Sequence, residues 1–380
     1  MHICCDVISQ LCLSVIAVII IVVTIASLIL RLTTQPKPVI VRKDSEKYYL
    51  DVQSGERRRF PSLVDTDVDD DVGGDQPSVY LSVIVPAFNE SERLPKMLDE
   101  AIDYLESRCS RRRRRQQKSS DDGVDVDVFT YEIIVVDDGS TDQTTDVALG
   151  YVKTYGSDKI RVLTLETNRG KGGAVRLGML SARGHQLLFA DADGATYFPD
   201  YEKLESFMLA NSSRESGGSN GRPVIAIGSR AHLQSDAVAT RSLFRTILMY
   251  GFHLGVWLLA VRSVRDTQCG FKLFGRRIAR QLFTHIHCEK WAFDVELLLL
   301  AEKLGAKIGE IAVKWTEIDG SKVVPFWSWL QMGKDVAIIS LKYTIGACSL
   351  PIGDNNTINN NNEMTYSDIR FQLVFFLFFW

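Results

Sequence analysis

The triplet Asp191-Ala192-Asp193 holds the side chains of this sequence that are best suited to chemistry. It directly follows the apolar run Leu187–Ala190, which is typical of a buried strand. Side chains alternate along a strand, so two acids separated by one residue point to the same side. Mg²⁺ and Mn²⁺ prefer such oxygen ligands, usually together with phosphate oxygens of a substrate. The triplet therefore predicts a divalent-cation site, with helix capping as the alternative role of aspartates at a strand end.

The strands predicted before this triplet are also followed by polar residues. Apolar runs end at Pro86, Val136 and Leu165, and each is followed by a polar turn and a helical pattern; Ser140 and Thr141 are the expected N-caps of the second helix. Repeated strand-turn-helix units predict a doubly wound α/β fold with a mostly parallel sheet. Ligands of such sheets bind beyond the carboxyl ends of the strands. The polar residues expected to converge there are Asn89, Glu90, Asp137, Asp138, Lys171, Asp191 and Asp193.

Two common nucleotide-binding motifs are not matched. The turn Gly170–Gly173 is followed by Val175 where the dinucleotide fingerprint requires a third glycine. No segment matches the phosphate-binding loop that ends in Gly-Lys-Ser/Thr. The pattern therefore favours a nucleotide-binding fold that is neither a dehydrogenase nor an ATPase.

Four ordered motifs resemble the inverting family 2 glycosyltransferases, which have the GT-A fold. They are Val85–Glu90, Val136–Asp142, Asn168–Gly172 and Asp191–Gly194. Later segments are similar to the polyprenyl-phosphate sugar transferases, namely Gly228–Arg230, Asp266–Phe274 and Lys290–Leu297. Trp315–Val323 resembles the matching segment of the eukaryotic dolichyl-phosphate β-glucosyltransferases. The resemblance extends from about Leu81 to Cys348.

This resemblance implies a reaction, its substrates and a donor site. Glucose would pass from UDP-glucose to dolichyl phosphate with inversion, giving dolichyl β-D-glucosyl phosphate for the lipid-linked oligosaccharide of protein N-glycosylation. Mg²⁺ or Mn²⁺ would be bound by Asp191 and Asp193, and Arg169 and Lys171 would meet the diphosphate. The residues implied in binding the donor are Pro86, Phe88, Asn89, Glu90, Asp137, Asp138, Arg169, Lys171 and Asp191.

Three further residues are candidates for the acceptor side of the reaction. Arg230 matches phosphate geometry bidentately, and an ordinary salt bridge is its alternative role. The related bacterial lipid transferases imply a position near the nucleophile for Asp266. Asp294 lies in the apolar, helix-like stretch Trp291–Leu300, where an acid belongs either to the active site or to a buried structural pair.

Two other functions fit parts of the pattern. A dolichyl-phosphate mannosyltransferase would use GDP-mannose on the same fold, but Trp315–Val323 and the N-terminal apolar segment favour glucose. A non-catalytic sugar-nucleotide-binding membrane protein is the second alternative, and the complete set of expected acidic residues argues against it. A processive polysaccharide synthase is disfavoured because no Gln-x-x-Arg-Trp motif is evident.

The N-terminal apolar segment indicates a membrane protein. Leu11–Leu30 carries no charge and is long enough to span a bilayer; a cleaved signal peptide would have a shorter apolar core after basic residues. Four basic residues follow, at 31, 37, 42 and 43, which predicts a cytosolic catalytic domain. The family resemblance implies that the membrane is that of the endoplasmic reticulum. The predicted organisation is a lumenal N-terminus over 1–10, an anchor over 11–30, a linker over 31–80, the GT-A domain over 81–348 and a variable tail over 349–380.

The composition of the chain limits the classes of partner that it is expected to bind. The net charge of −3 over 380 residues gives no sign of nucleic-acid binding, and the seven cysteines show no zinc or disulfide spacing. The basic run Arg111–Arg115 is interpreted as a solvated insertion loop, with contact to anionic membrane lipids as the alternative. Leu243–Val261 and Pro325–Tyr343 read as helices that are either buried in the core or lie at the membrane interface.

Overall fold

A seven-stranded sheet organises the chain. The computed structural model describes residues 2–63, 76–119, 129–212, 222–233, 251, 255–257, 259–318 and 327–351. The strands of this sheet are β3 (Val79–Ala87), β4 (Tyr131–Asp137), β5 (Ile160–Thr164), β6 (Gly184–Ala190), β7 (Val224–Ser229), β8 (Phe271–Gly275) and β9 (Lys307–Ala312). Their order is β5-β4-β3-β6-β8-β7-β9, and only β8 runs antiparallel to its neighbours. The mostly parallel sheet predicted from the sequence is confirmed.

Helices follow most strands and cover both faces of the sheet. They are α1 (His2–Thr33), α2 (Leu94–Ser119), α3 (Thr144–Tyr155), α4 (Lys171–Leu180), α5 (Tyr201–Ser212), α6 (Arg276–Phe283), α7 (Phe293–Lys303) and α8 (Trp327–Thr344). Successive residues of a strand face opposite sides, so β3 places Ile84 in one hydrophobic cluster and Val83 and Val85 in the other. This two-sided burial explains why the central strands are apolar throughout.

Helix α2 is longer than the sequence interpretation allowed. The run Arg111–Arg115 lies within this helix, which ends at Ser119, so the insertion-loop interpretation of these residues is wrong. Arginine has high helix propensity, and no glycine or proline interrupts residues 96–119. Charge alone is therefore a poor indicator of a loop in this segment.

The N-terminal helix is a candidate membrane span. Within α1, Leu13–Thr33 is long and apolar enough to cross a membrane, by length and composition. Its large side chains, including Ile16, Ile20 and Leu28, are exposed rather than packed against the domain. A lipid environment is the natural cover for such a surface.

Part of the linker predicted over 31–80 is structured. Residues 44–63 pack on the domain: β1 (Tyr48–Leu50) and β2 (Arg57–Arg59) form a hairpin beside β5. Phe60 and Leu63 are buried in the hydrophobic core. The sequence between the predicted anchor and β3 is mostly polar, so these two apolar contacts were not predicted. Residues 64–75, which include the acidic run Asp65–Asp75 of the predicted linker, lie outside the described residues.

The C-terminal helix is confirmed and packs on the core. In α8, Met332, Val336, Ile339 and Tyr343 are all buried, which supports core burial for this face of the helix. Most of Leu243–Val261 and the tail beyond residue 351 lie outside the described part of the chain.

Candidate active site

The turns after β3 and β4 are joined by Asn89. Its backbone N–H donates to Ser140 Oγ at 2.9 Å, and its Oδ1 accepts from the Thr141 N–H at 2.8 Å. Asn89 has a left-handed φ of 52°, a conformation that asparagine tolerates better than most residues. The predicted N-cap roles of Ser140 and Thr141 are therefore wrong. Helix α3 begins at Thr144, whose N–H donates to Asp142 Oδ1 at 3.0 Å.

The rest of the β3 turn is ordered by an ion pair. Arg93 donates to Glu90 through Nε at 2.7 Å and through Nη2 at 2.6 Å. The Glu90 N–H donates to Thr144 Oγ1 at 2.8 Å. Pro86 and Phe88 are half-buried at the same strand end. The predicted donor residues of this turn thus form one rigid rim, with the Glu90 carboxylate held by Arg93.

Two adjacent aspartates end β4 and face different partners. The Asp137 Oδ1 accepts from the Ser140 N–H at 2.9 Å, while its Oδ2 accepts from Thr145 Oγ1. Asp138 accepts from the backbone N–H groups of Arg169 and Gly170 at 2.7 and 2.9 Å. Burial raises the pKa of Asp138 to about 6, assisted by the charge of Asp137 and opposed by these two hydrogen bonds. Asp138 therefore links the β4 turn to the loop before α4.

The Asp-x-Asp triplet follows β6, as predicted. Lys171 Nζ lies 2.7 Å from Asp191 Oδ1, and the Asp193 Oδ1 accepts from the Ala195 N–H at 3.0 Å. Burial and the neighbouring charge of Asp191 raise the pKa of Asp193. Among the described residues, no group of three or more His, Cys, Asp or Glu side chains is arranged to bind a metal ion. Two carboxylates would need oxygens from a substrate to complete such a site.

A buried ion pair lies beneath this triplet. Lys272 Nζ donates to Asp294 Oδ1 and to the Cys269 carbonyl, both at 2.6 Å, and Lys272 is fully buried. Burial raises the pKa of Asp294, while the charges of Lys272 and Lys171 oppose the rise. The charge of Lys171 therefore acts on both the Asp191 and the Asp294 carboxylates. Asp294 has the buried partner that one of its two predicted roles requires, and its place in the active site stays a prediction.

Arg230 and Asp266 form another ion pair at the candidate site. Arg230 donates Nε to Asp266 Oδ2 and Nη2 to Oδ1, both at 2.8 Å. Burial tends to raise the pKa of Asp266, but the hydrogen bonds and charge of Arg230 hold it below its usual value. The Arg230 guanidinium also lies 5.4 Å from the ring centroid of Trp315. Its predicted bidentate geometry is present, with a protein carboxylate as the partner.

Arg169 lies in the loop that precedes α4. We call residues 168–170 the donor loop, because the sequence predicts that this region meets the donor. The Arg169 side chain points away from the other predicted donor residues. Arg169 Nη2 donates to Glu46 Oε2 at 2.6 Å, and Nη1 donates to the Val41 carbonyl. Its backbone, rather than its guanidinium, faces Asp138. The structure therefore gathers the other predicted donor residues at one edge of the sheet and directs the Arg169 side chain toward the segment after α1.

Sequence reasoning missed two charged residues that support the site. A lysine in the apolar strand Phe271–Gly275 was a usable signal for Lys272, because a buried amine requires an acidic partner. Glu310 accepts from Ser229 Oγ at 2.6 Å and from the Asp266 N–H at 3.0 Å. No sequence pattern marks Glu310, since its partners come from two distant segments.

Comparison with known proteins assigns the chain to a family. The model of glycosyl transferase family 2 matches residues 82–283. Among solved structures, a glucosyl-3-phosphoglycerate synthase from Mycobacterium tuberculosis, in complex with Mn²⁺ and uridine-diphosphate-glucose, superposes with a TM-score of 0.42 at 15% identity, covering 70% of this chain and 79% of that chain. The GT-A α/β fold predicted from the sequence is confirmed by the family match and the observed sheet.

Curated relatives define the family more narrowly. A dolichyl-phosphate β-glucosyltransferase of Drosophila melanogaster is 56% identical over 85% of this chain and 90% of its own length. The Homo sapiens protein of that name is 51% identical over 85% of this chain and 90% of its own length. The Saccharomyces cerevisiae one is 41% identical over 72% of this chain and 77% of its own length. The chain therefore belongs to the dolichyl-phosphate β-glucosyltransferases of glycosyl transferase family 2.

Proposed function

We propose that this enzyme transfers glucose from UDP-glucose to dolichyl phosphate with inversion at the anomeric carbon. The observation that carries the proposal is the 56% identity over 85% of the chain to a dolichyl-phosphate β-glucosyltransferase. The product, dolichyl β-D-glucosyl phosphate, would supply glucose to lipid-linked oligosaccharide assembly in protein N-glycosylation. The reaction would take place at the cytosolic face of the endoplasmic reticulum membrane, where α1 anchors the domain among the membrane lipids.

In the chemical step, an oxygen of the dolichyl phosphate forms a bond to the anomeric carbon. The bond from that carbon to the UDP oxygen breaks, and UDP leaves with the electron pair. The acceptor phosphate is already anionic at neutral pH, so the chain need not supply a strong general base. The task of its residues is to hold donor and acceptor in line and to stabilise charge on the leaving diphosphate.

The donor would bind at the ends of β3 and β4. Asp137 or Asp138 would contact the uridine, and Pro86, Phe88, Asn89 and Glu90 would frame its base and ribose. The hydrogen bonds between Asn89 and the β4 turn support a preorganised donor rim. Lys171, next to Asp191, would lie near the diphosphate.

The two carboxylates of the triplet fit a divalent cation. Asp191 is 31% exposed, and its charge contributes to the raised pKa of Asp193, so a cation shared by the two would relieve their repulsion. Asp191 and Asp193 would hold Mg²⁺ or Mn²⁺ together with diphosphate oxygens. When bound, such an ion neutralises charge that develops on the leaving group.

The acceptor would approach from the side of Arg230 and Asp266. Both follow the nucleotide-binding half of the sheet, and Gly270, in the same turn as Asp266, contacts Asp191. Asp266 would fix the Arg230 guanidinium through two hydrogen bonds, leaving its remaining N–H groups for the lipid phosphate. Asp294 would act through Lys272, because its carboxylate would hold the Lys272 ammonium near the donor diphosphate.

A donor panel tests the proposal. Membranes that contain the protein would be incubated with dolichyl phosphate and either labelled UDP-glucose or labelled GDP-mannose, followed by identification of the lipid product. We expect glucosyl lipid from UDP-glucose and none above background from GDP-mannose. Mannosyl lipid as the main product would assign the chain to the alternative reaction. UDP-glucose binding without any transfer would indicate a non-catalytic sugar-nucleotide-binding protein.

A further inference from the structure

The segment between α1 and β1 lies against the donor loop. We call residues 34–47 the strap, because they connect the candidate membrane span to the hairpin. The Pro36 carbonyl accepts from the Ser349 N–H at 2.8 Å, which ties the start of the strap to the residues after α8. Lys43 Nζ lies 2.7 Å from Glu166 Oε2, two residues before Asn168. These contacts thus fix the strap to the domain, although most of its side chains are exposed.

Glu46 is the centre of the contact between the strap and the donor loop. Its side chain is fully buried, and it accepts from three donors. Two are backbone N–H groups, of Lys43 at 3.0 Å and of Glu166 at 3.2 Å. The third is Arg169 Nη2 at 2.6 Å, from a side chain that is only 12% exposed. A buried carboxylate with three donors fixes the position of its charged partner.

Arg169 connects Glu46 to the donor site through one residue of backbone. Its N–H and that of Gly170 both donate to Asp138. Gly170 has a left-handed φ of 82°, and a Cβ there would lie 2.7 Å from the Glu289 carbonyl oxygen. The loop is therefore enclosed by the strap on one side and by Asp138 and residue 289 on the others. Lys171, which contacts Asp191, is the next residue.

We propose that Glu46 is a positioning residue for the donor. By holding the Arg169 guanidinium, it would keep the backbone of Arg169 and Gly170 on Asp138, and Lys171 beside Asp191, in the arrangement that receives a nucleoside diphosphate. Glu46 itself contacts no substrate in this account. The inference rests on the proposed function, because it assumes that Asp138 and Lys171 belong to the donor site.

Replacing the carboxylate should weaken donor binding more than it slows the chemical step. In Glu46→Gln the shape is kept, but the Arg169 guanidinium loses its buried countercharge. The loop then samples arrangements in which Asp138 lacks its two donors, and donor binding has to restore the order. We expect the Kd for UDP and the KM for UDP-glucose to rise roughly tenfold, equivalent to about 1.4 kcal/mol. The KM for dolichyl phosphate and kcat should change less than about twofold.

Asp51→Asn provides the matched control. Asp51 is a buried carboxylate of the same N-terminal region, but its partners, Arg58 and the Gln53 N–H, lie within the β1–β2 hairpin. Both variants would be made in the full chain, in lipid nanodiscs, alongside Arg169→Gln and the Glu46→Gln/Arg169→Gln double variant. Thermal melting, UDP binding and the two KM values would be measured for each.

The measurements separate positioning from general stability and from direct contact. Support requires a rise in UDP Kd for Glu46→Gln, no rise for Asp51→Asn, and nearly equal effects of Glu46→Gln, Arg169→Gln and the double variant. An unchanged UDP Kd in Glu46→Gln overturns the inference. So does a much larger effect of Arg169→Gln than of Glu46→Gln, which would assign Arg169 to the diphosphate itself. If the wild-type protein binds no UDP, the failure lies with the proposed function instead.

Discussion

Asp191 is held on two sides by its surroundings. Lys171 Nζ lies 2.7 Å from Oδ1, and a Cβ on Gly270 would lie 1.9 Å from Oδ2. Glycine is therefore required at 270 because the carboxylate occupies the space that a side chain would take. Packing therefore fixes the direction in which the Asp191 carboxylate points. A residue that binds a ligand of fixed geometry requires such a fixed orientation.

At the residue scale, the first prediction concerns the triplet. Asp191→Asn and Asp193→Asn should each lower glucosyl transfer by at least roughly 10²-fold, because the carboxylates would no longer hold a cation against the diphosphate. Melting temperatures should stay close to that of the wild type, since neither side chain is part of the hydrophobic core. Chelation should inhibit the wild type, and added Mg²⁺ or Mn²⁺ should restore it. Asp99→Asn, a surface change on α2, serves as the control; full activity after exhaustive chelation would remove the metal from the mechanism.

The second prediction concerns the Arg230–Asp266 pair. Because the two side chains share two hydrogen bonds, we expect Arg230→Lys and Asp266→Asn to raise the KM for dolichyl phosphate by a similar factor. The double variant should be little worse than either single variant, because the same interaction is lost in all three. UDP binding should remain near wild type. Loss of UDP binding in either single variant would place the pair in the donor site.

These two groups differ in how far the sequence could predict them. Alternation along a strand is local, so the shared orientation of Asp191 and Asp193 follows from two adjacent positions. The partner of Arg230 lies 36 residues further along the chain. The bidentate geometry of Arg230 was predictable from its side chain. The carboxylate that accepts its two hydrogen bonds was not predictable, because tertiary packing decides which acidic residue lies next to the guanidinium.

At the scale of elements, the packing of α4 on the sheet depends on a small residue. A Cβ on Gly178 would lie 2.5 Å from Ile84 Cγ2 and 2.8 Å from Val136 Cγ2. We expect Gly178→Ala to destabilise the protein by about 1–3 kcal/mol through overpacking. Gly150→Ala, on the exposed face of α3 with nothing within 4 Å, should instead stabilise it by about 0.5–1 kcal/mol. Thermal or denaturant unfolding would measure both, and equal effects of the two substitutions would contradict the close approach of α4.

A second element-scale prediction concerns the start of α7 and its contact with α8. Burial tends to lower the pKa of His287, but contacts with Cys348 and Glu296 outweigh it and raise the pKa to about 9. Tyr343 of α8 also donates to Glu296 Oε1, at 2.7 Å. An unfolded histidine titrates near pH ~6.5, so protonated His287 stabilises the fold fully below that pH, and this contribution is lost as the pH rises through about 9.

The melting temperature should therefore fall between pH 6.5 and pH 9, by about 2–4 °C for each kcal/mol lost. His287→Gln should lower the melting temperature at pH 6.5 and flatten the fall toward pH 9. Differential scanning fluorimetry of both proteins over this range measures the effect. A parallel pH profile in the variant would show that other groups cause the fall.

Element boundaries were less predictable than element types. The strand-turn-helix order was correct because apolar periodicity is strong in β3, β4 and β6. The start of α3 was misplaced because Ser140 and Thr141, good N-caps in isolation, are instead engaged by Asn89. The end of α2 was misplaced because a charged helix lacks the apolar periodicity that marks a packed one.

At the scale of the whole molecule, α1 and the domain are joined by the strap. The sequence predicted a linker over 31–80. The burial of Glu46, Phe60 and Leu63 could not be predicted from the sequence. Glu46 and Leu63, for example, contact residues that lie more than 100 positions further along the chain. The candidate span thus leads into a structured segment that contacts the loop before α4.

The topology of the molecule gives the last prediction. Arg31 lies at the end of the candidate span, and Lys37, Arg42 and Lys43 follow it, so the catalytic domain should face the cytosol, with the N-terminus in the lumen. Protease added to sealed microsomes should digest the domain, and a lumenal marker protein should survive until detergent is added. Protection of the domain in sealed vesicles would reverse the orientation.

Identification of the lipid product tests the central claim most directly. Purified full-length protein in lipid nanodiscs would be supplied with UDP-glucose, dolichyl phosphate and Mg²⁺ or Mn²⁺, and the anomeric configuration of the product would be determined by NMR. Asp191→Asn, prepared in parallel, would report contaminating activity. We predict dolichyl β-D-glucosyl phosphate from the wild type and almost none from the variant. An α-linked product, no product, or equal amounts from both proteins would contradict this account.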